Sequence, residues 1–360
     1  MTMDKTFKSI HTLIFLIFTA GILYAGPNQW TQTVGMYPIG GYHMSLCPSD
    51  NNIIYTTGGI RLSPQYLYKS IDRGNTWSQV SNINTSWYYV YAAPEDSSTI
   101  YLINILRSGV YKSTDGGNTV TLYTTGISST ARITDLCITD TTGTLLLGGR
   151  FVYKSTNGGE TWSPASTGMG DVSYINFSVS SMSSSLIYAT GGNGLYKTID
   201  GGDHWSLLTS SSNLYEWRCI RVNPVNPDIV YAIPGSNNYY LYKSIDGGTT
   251  WSLKSTGLPA WMLLDIATVP GDGNTLFATS PSQNGVYIST DTGETWQEMN
   301  NGFSGYPPTI VQLLVIPGKS TIILAAADKA IYSYTLTTTS VEKEQWEGYE
   351  GDHRDLFKND

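Results

Sequence analysis

Short runs of apolar and aromatic residues, each closed by Gly, Pro, Asn or Asp, recur from residue 28 to residue 336. Runs of this length with turn residues between them predict strands rather than helices. The fifth such stretch reads as four strands: Cys219 to Val222, Ile229 to Ala232, Tyr240 to Ser244 and Trp251 to Lys254, with Asn223-Pro-Val-Asn-Pro227 turning the chain after the first. A turn-forming proline recurs after the first strand of a stretch at Pro48, Pro94, Pro224, Pro270 and Pro317.

The stretches are copies of one another. Six carry the pattern Tyr-x-[Ser/Thr]-x-Asp-x-Gly-x-Thr-Trp, beginning at Tyr68, Tyr111, Tyr153, Tyr196, Tyr242 and Tyr287. Its acidic or amide position falls at Asp72, Asp115, Asn157, Asp200, Asp246 and Asp291, spaced 43, 42, 43, 46 and 45 residues apart. A period of that size matches one four-stranded propeller blade. Within the pattern, Asp accepts backbone N–H groups of the turn and Gly supplies a positive φ. The Trp packs back on the blade.

These residues resemble the Asp-box of the bacterial neuraminidase repeat. That resemblance implies a structural hairpin on the propeller face away from the functional funnel, so the six residues are expected to form turns, not to act as catalytic carboxylates. Six boxes imply seven blades. Ile310 to Ile316, Thr321 to Ala326 and Ala330 to Tyr334 supply three further strands after the last box, and Asn28-Gln-Trp30-Thr-Gln32-Thr resembles the outer strands. Pairing the two ends closes a seventh blade and removes two sheet edges. The expected fold is all-β: a seven-bladed propeller of four-stranded antiparallel blades over residues 26–339.

Composition supports this and narrows the partners. Charged residues are only 13% of 360, and 20 Lys plus Arg stand against 28 Asp plus Glu. An acidic chain poor in cations is a poor electrostatic match for nucleic acid or an anionic membrane. Residues 1–25 read as an export signal, with Lys5 and Lys8 before an apolar run from Leu13 to Leu23 and cleavage expected near Ala25. That run is too short to span a bilayer. The mature chain is expected to be secreted or periplasmic and monomeric. Residues 340–360 carry seven acidic and three basic residues with no apolar periodicity and read as a solvated tail. Cys47, Cys137 and Cys219 form no metal or disulfide motif, so buried free thiols, no metal and no cofactor are expected.

In a propeller, the ends of the inner strands converge on a central funnel, where ligands usually bind. Aligning the blades on the recurring proline gives His43, Tyr89, Asp135, Asn176, Cys219, Asp265 and Gln312, six of which are polar or polar-tipped. Such a row either links blades by hydrogen bonds or lines a polar funnel. Trp87, Trp217 and Trp261 fall near the starts of three inner strands, with Tyr42, Tyr174, Tyr215, Arg218 and Arg221 nearby. Aromatic faces suit sugar rings or extended peptides. The ligand-binding candidates are therefore His43, Trp87, Tyr89, Asn176, Trp217, Arg218, Trp261 and Gln312, and the expected partner is a carbohydrate or a peptide. The alternative is a glycoside hydrolase using Asp135 or Asp265.

Several families share this repeat. Sialidases carry a Phe/Tyr-Arg-Ile-Pro motif; the nearest match here, Ala131-Arg132-Ile133-Thr134, lacks the Pro and lies in another blade. Xyloglucan-type endoglucanases place one catalytic Asp on each of two propellers. Sortilin-type receptor domains bind peptides in the funnel, and a photosystem assembly factor uses an arginine patch.

Overall fold

The computed structural model describes residues 28–35, 40–59, 66–80, 89–104, 106–140, 142–170, 175–210, 217–235, 240–259, 263–280, 285–303, 307–327 and 330–336. The export signal, the charged tail, Trp87, Tyr174, Tyr215, Trp261 and the side chain of Tyr42 lie outside them. The described chain forms seven four-stranded antiparallel sheets and no helix.

Six blades are consecutive meanders. Their inner strands are Gly40–Leu46, Tyr89–Ala92, Asp135–Ile138, Phe177–Ser180, Trp217–Val222 and Asp265–Val269. The seventh blade is shared by the chain's two ends: Ile310–Ile316 inside, then Thr321–Ala327 and Ile331–Leu336, with Thr31–Gln32 from the N-terminal end outermost. Only Thr31↔Ser333 and Gln32↔Tyr332 pair in that last ladder. Trp30 compensates for so short a strand. Its ring is buried, stacks on Phe303 at 5.3 Å and touches Tyr334 at 5.2 Å, and its Nε1 donates to the Met299 carbonyl.

The Asp-boxes fold as turns for a local reason. In each, a Ser or Thr two residues before the Asp or Asn gives its hydroxyl hydrogen to the Oδ1 and accepts the amide of the Gly two residues after it. Ser70, Asp72 and Gly74 do so at 2.7 and 2.8 Å, and Thr198, Asp200 and Gly202 at 2.7 and 3.0 Å. Asn157 fills the same role in the third blade. Backbone and side-chain hydrogen bonds from Thr119 hold the Asp115 carboxyl down at about 2. The Gly at this position also interlocks blades. A Cβ on Gly117 (φ +97°) would sit 2.3 Å from Leu67 of the preceding blade. Tyr55, Tyr101, Tyr188 and Tyr231 finish the seam, each donating its hydroxyl to a carbonyl of the following blade.

A second seam runs along the outer strands. The backbone N–H groups of five outer-strand Trp residues donate to a carbonyl contributed by the preceding blade: Trp162 to Thr125, Trp205 to Thr167, Trp296 to Thr256, Trp30 to Asn301 and Trp77 to Val34. A glycine follows the accepting residue in every case. At Gly257 the φ is +87° and a Cβ would meet the Trp296 carbonyl oxygen at 2.1 Å, so no other residue fits. The N-terminal segment thus clasps blade 7 through Trp30 and blade 1 through Val34.

The core is divided among the blades and their interfaces. Seven clusters of buried side chains, such as Leu145, Leu147, Tyr153 and Trp162 with Tyr101 and Ile103, lie within and between adjacent sheets. Cys47, Cys137 and Cys219 are buried free thiols in these layers.

Candidate functional site

The inner strand of each blade is a sheet edge, so its backbone N–H groups need partners from outside its own sheet. Side chains of the neighbouring blade supply them. Asp265 Oδ2 takes the amide of Leu313 at 3.1 Å, Asp135 Oδ2 that of Phe177 at 2.8 Å, Ser178 Oγ that of Val222 at 3.0 Å and Ser45 Oγ that of Ala92 at 2.9 Å. Gln312 acts as a peptide mimic, accepting from the Met44 amide at 2.5 Å and donating to its carbonyl at 3.2 Å.

The remaining bonds close the circuit through all seven junctions. Gln312 joins blade 7 to blade 1, and His43 joins blade 1 to blade 2 through its Nδ1 and the Val90 carbonyl at 3.0 Å. Tyr91 donates to Asp135 Oδ1 at 2.6 Å, joining blade 2 to blade 3. Asn176 donates to Asp135 Oδ2 at 3.3 Å and accepts from Arg221 Nη1 at 3.0 Å, bridging blades 3, 4 and 5. Arg221 then reaches blade 6, with Nε on the Ile266 carbonyl at 3.0 Å and Nη2 on Asp265 Oδ1 at 2.9 Å.

Arg221 is the centrepiece of this ring, and spacing did not single it out. Cys219 occupies the position aligned on the proline, and it is buried, with its Sγ 3.8 Å from Asp265 Oδ1. Two residues later on the same strand face, Arg221 is long enough to reach three blades.

The ring sets the ionisation of its members. Burial pushes the Asp135 carboxyl up to about 6, against the hydrogen bonds from Tyr91 and Phe177 and the field of Arg221. Burial lowers His43 to about 4; the Val90 carbonyl opposes this and Arg221 reinforces it. His43 is therefore neutral at pH 7 and packs on Tyr89 and Tyr91 at centroid distances of 5.1 and 5.0 Å.

These two shifts oppose each other. Asp135, raised above its unfolded value, gives stability that is present at low pH and lost as pH rises through about 6. His43, depressed below its unfolded value, gives stability that is present above about 6.5 and lost as pH falls through about 4. Between about 4 and 6 their contributions cancel. Asp135 is faced by Tyr91, Asn176 and Arg221, and His43 by Tyr89, Tyr91 and Arg221. In His43→Asn only the Asp135 slope remains, so its melting temperature is expected to rise relative to wild type as pH falls from 7 to 4. Melting profiles that run parallel across this range would contradict that assignment.

Of the sequence candidates, the structure brings His43, Tyr89, Asp135, Asn176, Asp265 and Gln312 into or against this ring. Trp217 is buried, its ring against Tyr242 and Trp251, both 6.1 Å away, so its face is covered by aromatics of its own blade. Arg218 is exposed at the start of the same strand. Among the described residues no cluster of His, Cys, Asp or Glu is placed to hold a metal.

The meander topology also sorts charge. Asp-boxes and the turns after the inner strands share one face, and they carry Asp50, Asp72, Asp96, Asp115, Asp140, Asp200, Asp228, Asp246 and Asp291. The loops between second and third strands, with the links into the next inner strand, share the other. Among the described residues of those loops there is no Asp or Glu, while Arg107, Arg132 and Arg150 are exposed there. Net charge concealed this division, and assigning each loop to its face from the repeat shows it only in part, since Asp171, Glu216 and Asp328 stand in the same loops and lie outside the described residues.

The family model for the BNR/Asp-box repeat matches residues 153–164. No curated protein matches the chain in sequence. Among solved structures, YCF48 bound to D1 peptide is similar at 15% identity and a TM-score of 0.64, over 88% of this chain and 99% of that one. An ancestral GH74 enzyme matches at 18% and 0.68, over 86% of this chain and 46% of its own. The GH74 xyloglucanase from Xanthomonas campestris matches at 16% and 0.61, over 79% and 51%. The chain thus spans about half the length of the GH74 enzymes, and at these identities the likeness is one of fold. It is a seven-bladed β-propeller carrying the BNR/Asp-box repeat, with structural neighbours among both peptide-bound and glycoside hydrolase propellers.

Proposed function

We propose that this protein is an exported binding module that holds an extended peptide or carbohydrate on its funnel face, and that it does not cleave what it holds. The observation that carries this reading is the employment of the inner-strand carboxylates. Asp135 accepts from Tyr91, the Leu136 amide, Asn176 and the Phe177 amide, so both its oxygens are engaged by four donors. Asp265 is held by Arg221, Cys219 and the Leu313 amide. A glycosidase needs one carboxyl free to protonate the leaving group and a second facing the sugar or its attacking water. Carboxylates committed to joining blades have no such freedom. The peptide in the YCF48 structure is consistent with a propeller of this shape holding an extended chain.

One observation favours the second reading, a glycoside hydrolase. A carboxyl raised to about 6 has the poise of a general acid, and GH74 enzymes share the fold. The test is an array screen of the purified protein against glycans and peptides. Binding of at least one class is expected. Silence on both arrays would overturn the reading in favour of a purely structural protein.

A further inference from the structure

Exposed apolar side chains are shared unevenly among the blades. Of the eleven large ones exposed among the described residues, six stand on blades 4 and 5: Met182, Ile199, Leu207, Val225, Ile245 and Leu253. Four of these belong to the Asp-box face. Met182 and Val225 lie in the turns after the two inner strands, and Ile199 and Ile245 come just before Asp200 and Asp246 in the two boxes. Hydrogen bonds join the four segments. Ser181 Oγ donates to the Pro224 carbonyl at 2.5 Å, and Met182 and Val225 are the next residues along. The Gly201 amide donates to the Ser185 carbonyl at 3.0 Å and the Gly247 amide to the Asp228 carbonyl at 2.9 Å, fixing each box to its own turn. The Tyr188 hydroxyl of blade 4 reaches the Pro227 and Gly247 carbonyls of blade 5 at 3.1 and 3.4 Å. Two boxes and two turns therefore form one continuous surface.

The charge of this surface is of one sign. It is built from residues 180–185, 198–206, 223–229 and 244–252, all of them described, which carry Asp200, Asp203, Asp228 and Asp246. Their one basic residue is His204, 2.8 Å from Asp200. Of the lysines on adjoining strands, Lys154 pairs with Asp203, Lys243 with Glu294, and Lys197 lies over the Tyr188 ring with its Nζ on the Gly247 carbonyl. Asp228 and Asp246 form no ion pair with a described residue. Elsewhere on the face the apolar side chains are isolated: Ile71 occupies the same box position in blade 1, but the next box has Thr114 there.

We propose that the Asp-box face of blades 4 and 5 is a docking surface for a protein partner, engaged through a basic segment that carries apolar residues between its cations. It lies opposite the funnel and is independent of the ligand held there. Apolar side chains grouped on adjoining turns mark a contact surface, and the aspartates select what covers it. A second copy of this chain would bring Asp against Asp, which is unfavourable. An anionic membrane is repelled for the same reason. Lys or Arg of a partner would meet the carboxylates while its apolar residues cover Met182, Ile199, Val225 and Ile245, the arrangement of an apolar centre within a polar rim.

The probes are twelve-residue peptides alternating Lys with Leu, Lys with Ser, and Gln with Leu. The full chain is expected to bind the first about tenfold more tightly than either of the others, and added salt is expected to weaken that binding. The variant Met182→Ser/Ile199→Ser/Ile245→Ser is expected to lose about tenfold or more in affinity for the Lys and Leu peptide. Its three sites are exposed, so its melting temperature should stay near that of wild type and show that it folds. The control Asp50→Asn/Asp96→Asn removes two carboxylates of the same face on blades 1 and 2 and should bind as wild type. Undiminished binding by the triple variant would overturn the proposal. So would equal affinity for the Lys and Ser peptide, which would reduce the contact to charge alone. Dimerisation in sedimentation that the triple variant abolishes, with no peptide bound, would make a second copy the occupant and overturn it too. The triple variant should still hold the funnel's array ligand; loss of that ligand as well would mean a single site and overturn the assignment of a second surface.

Discussion

Arg221→Met is expected to destabilise the propeller by about 3 kcal/mol, the cost of removing one partner from a buried, hydrogen-bonded ion pair. The Asp265 side chain is 9% exposed and would be left with only the Leu313 amide and the Cys219 thiol as donors. Asn176 Oδ1 and the Ile266 carbonyl would lose their donors, and Asp135 would lose the cation that opposes its burial. Met fills much of the arginine stem's volume, so the loss reports hydrogen bonds and charge more than cavity. The double variant Arg221→Met/Asp265→Leu is expected to regain part of the stability, because it leaves no unpaired carboxylate. Urea unfolding of the three proteins measures this. A single-variant loss below about 1 kcal/mol, the range of an exposed ion pair, would show that the ring does not hold the blades together.

Trp30→Ala is expected to cost about 3–5 kcal/mol, the usual range for truncating a large buried aromatic. Its particular consequence is topological. The outermost strand of blade 7 is held by two paired residues, and the buried Trp30 ring between Phe303 and Tyr334 is its anchor. Loss of the anchor also releases Val34, whose carbonyl takes the Trp77 amide and whose own amide donates to the Asn75 carbonyl. Both blades 7 and 1 would therefore loosen at their outer edges. Amide hydrogen exchange at Thr33 and Val34 should accelerate in the variant more than exchange at Leu145 to Leu147, on the opposite side of the ring. Uniform acceleration across the chain would show that the clasp is not a separate closure.

Six copies of the Asp-box made the fold legible, because each turn is specified by residues within five positions of one another. The closure by Trp30 was legible too, since the N-terminal segment resembles the outer strands it replaces. The outer clasp was less visible, although Trp162, Trp251 and Trp296 are each followed six residues later by a glycine, at Gly168, Gly257 and Gly302. That spacing alone does not say that the carbonyl before the glycine will meet the next blade's tryptophan. The central ring was half legible. Its positions follow from the repeat, but the reach of Arg221 depends on side-chain length, which a positional alignment ignores. Arg107, Arg132 and Arg150 were hidden for another reason: a net charge of −8 averages over two faces that the meander keeps apart.

The central claim is that the propeller holds its ligand without cutting it, because Asp135 and Asp265 join blades. The most direct measurement is mass spectrometry of an array ligand recovered after prolonged incubation with the purified protein. Recovery at unchanged mass, with binding retained, is the predicted result. Shorter fragments that vanish with Asp135→Asn or Asp265→Asn in a protein of unchanged melting temperature would contradict it and make those carboxylates catalytic.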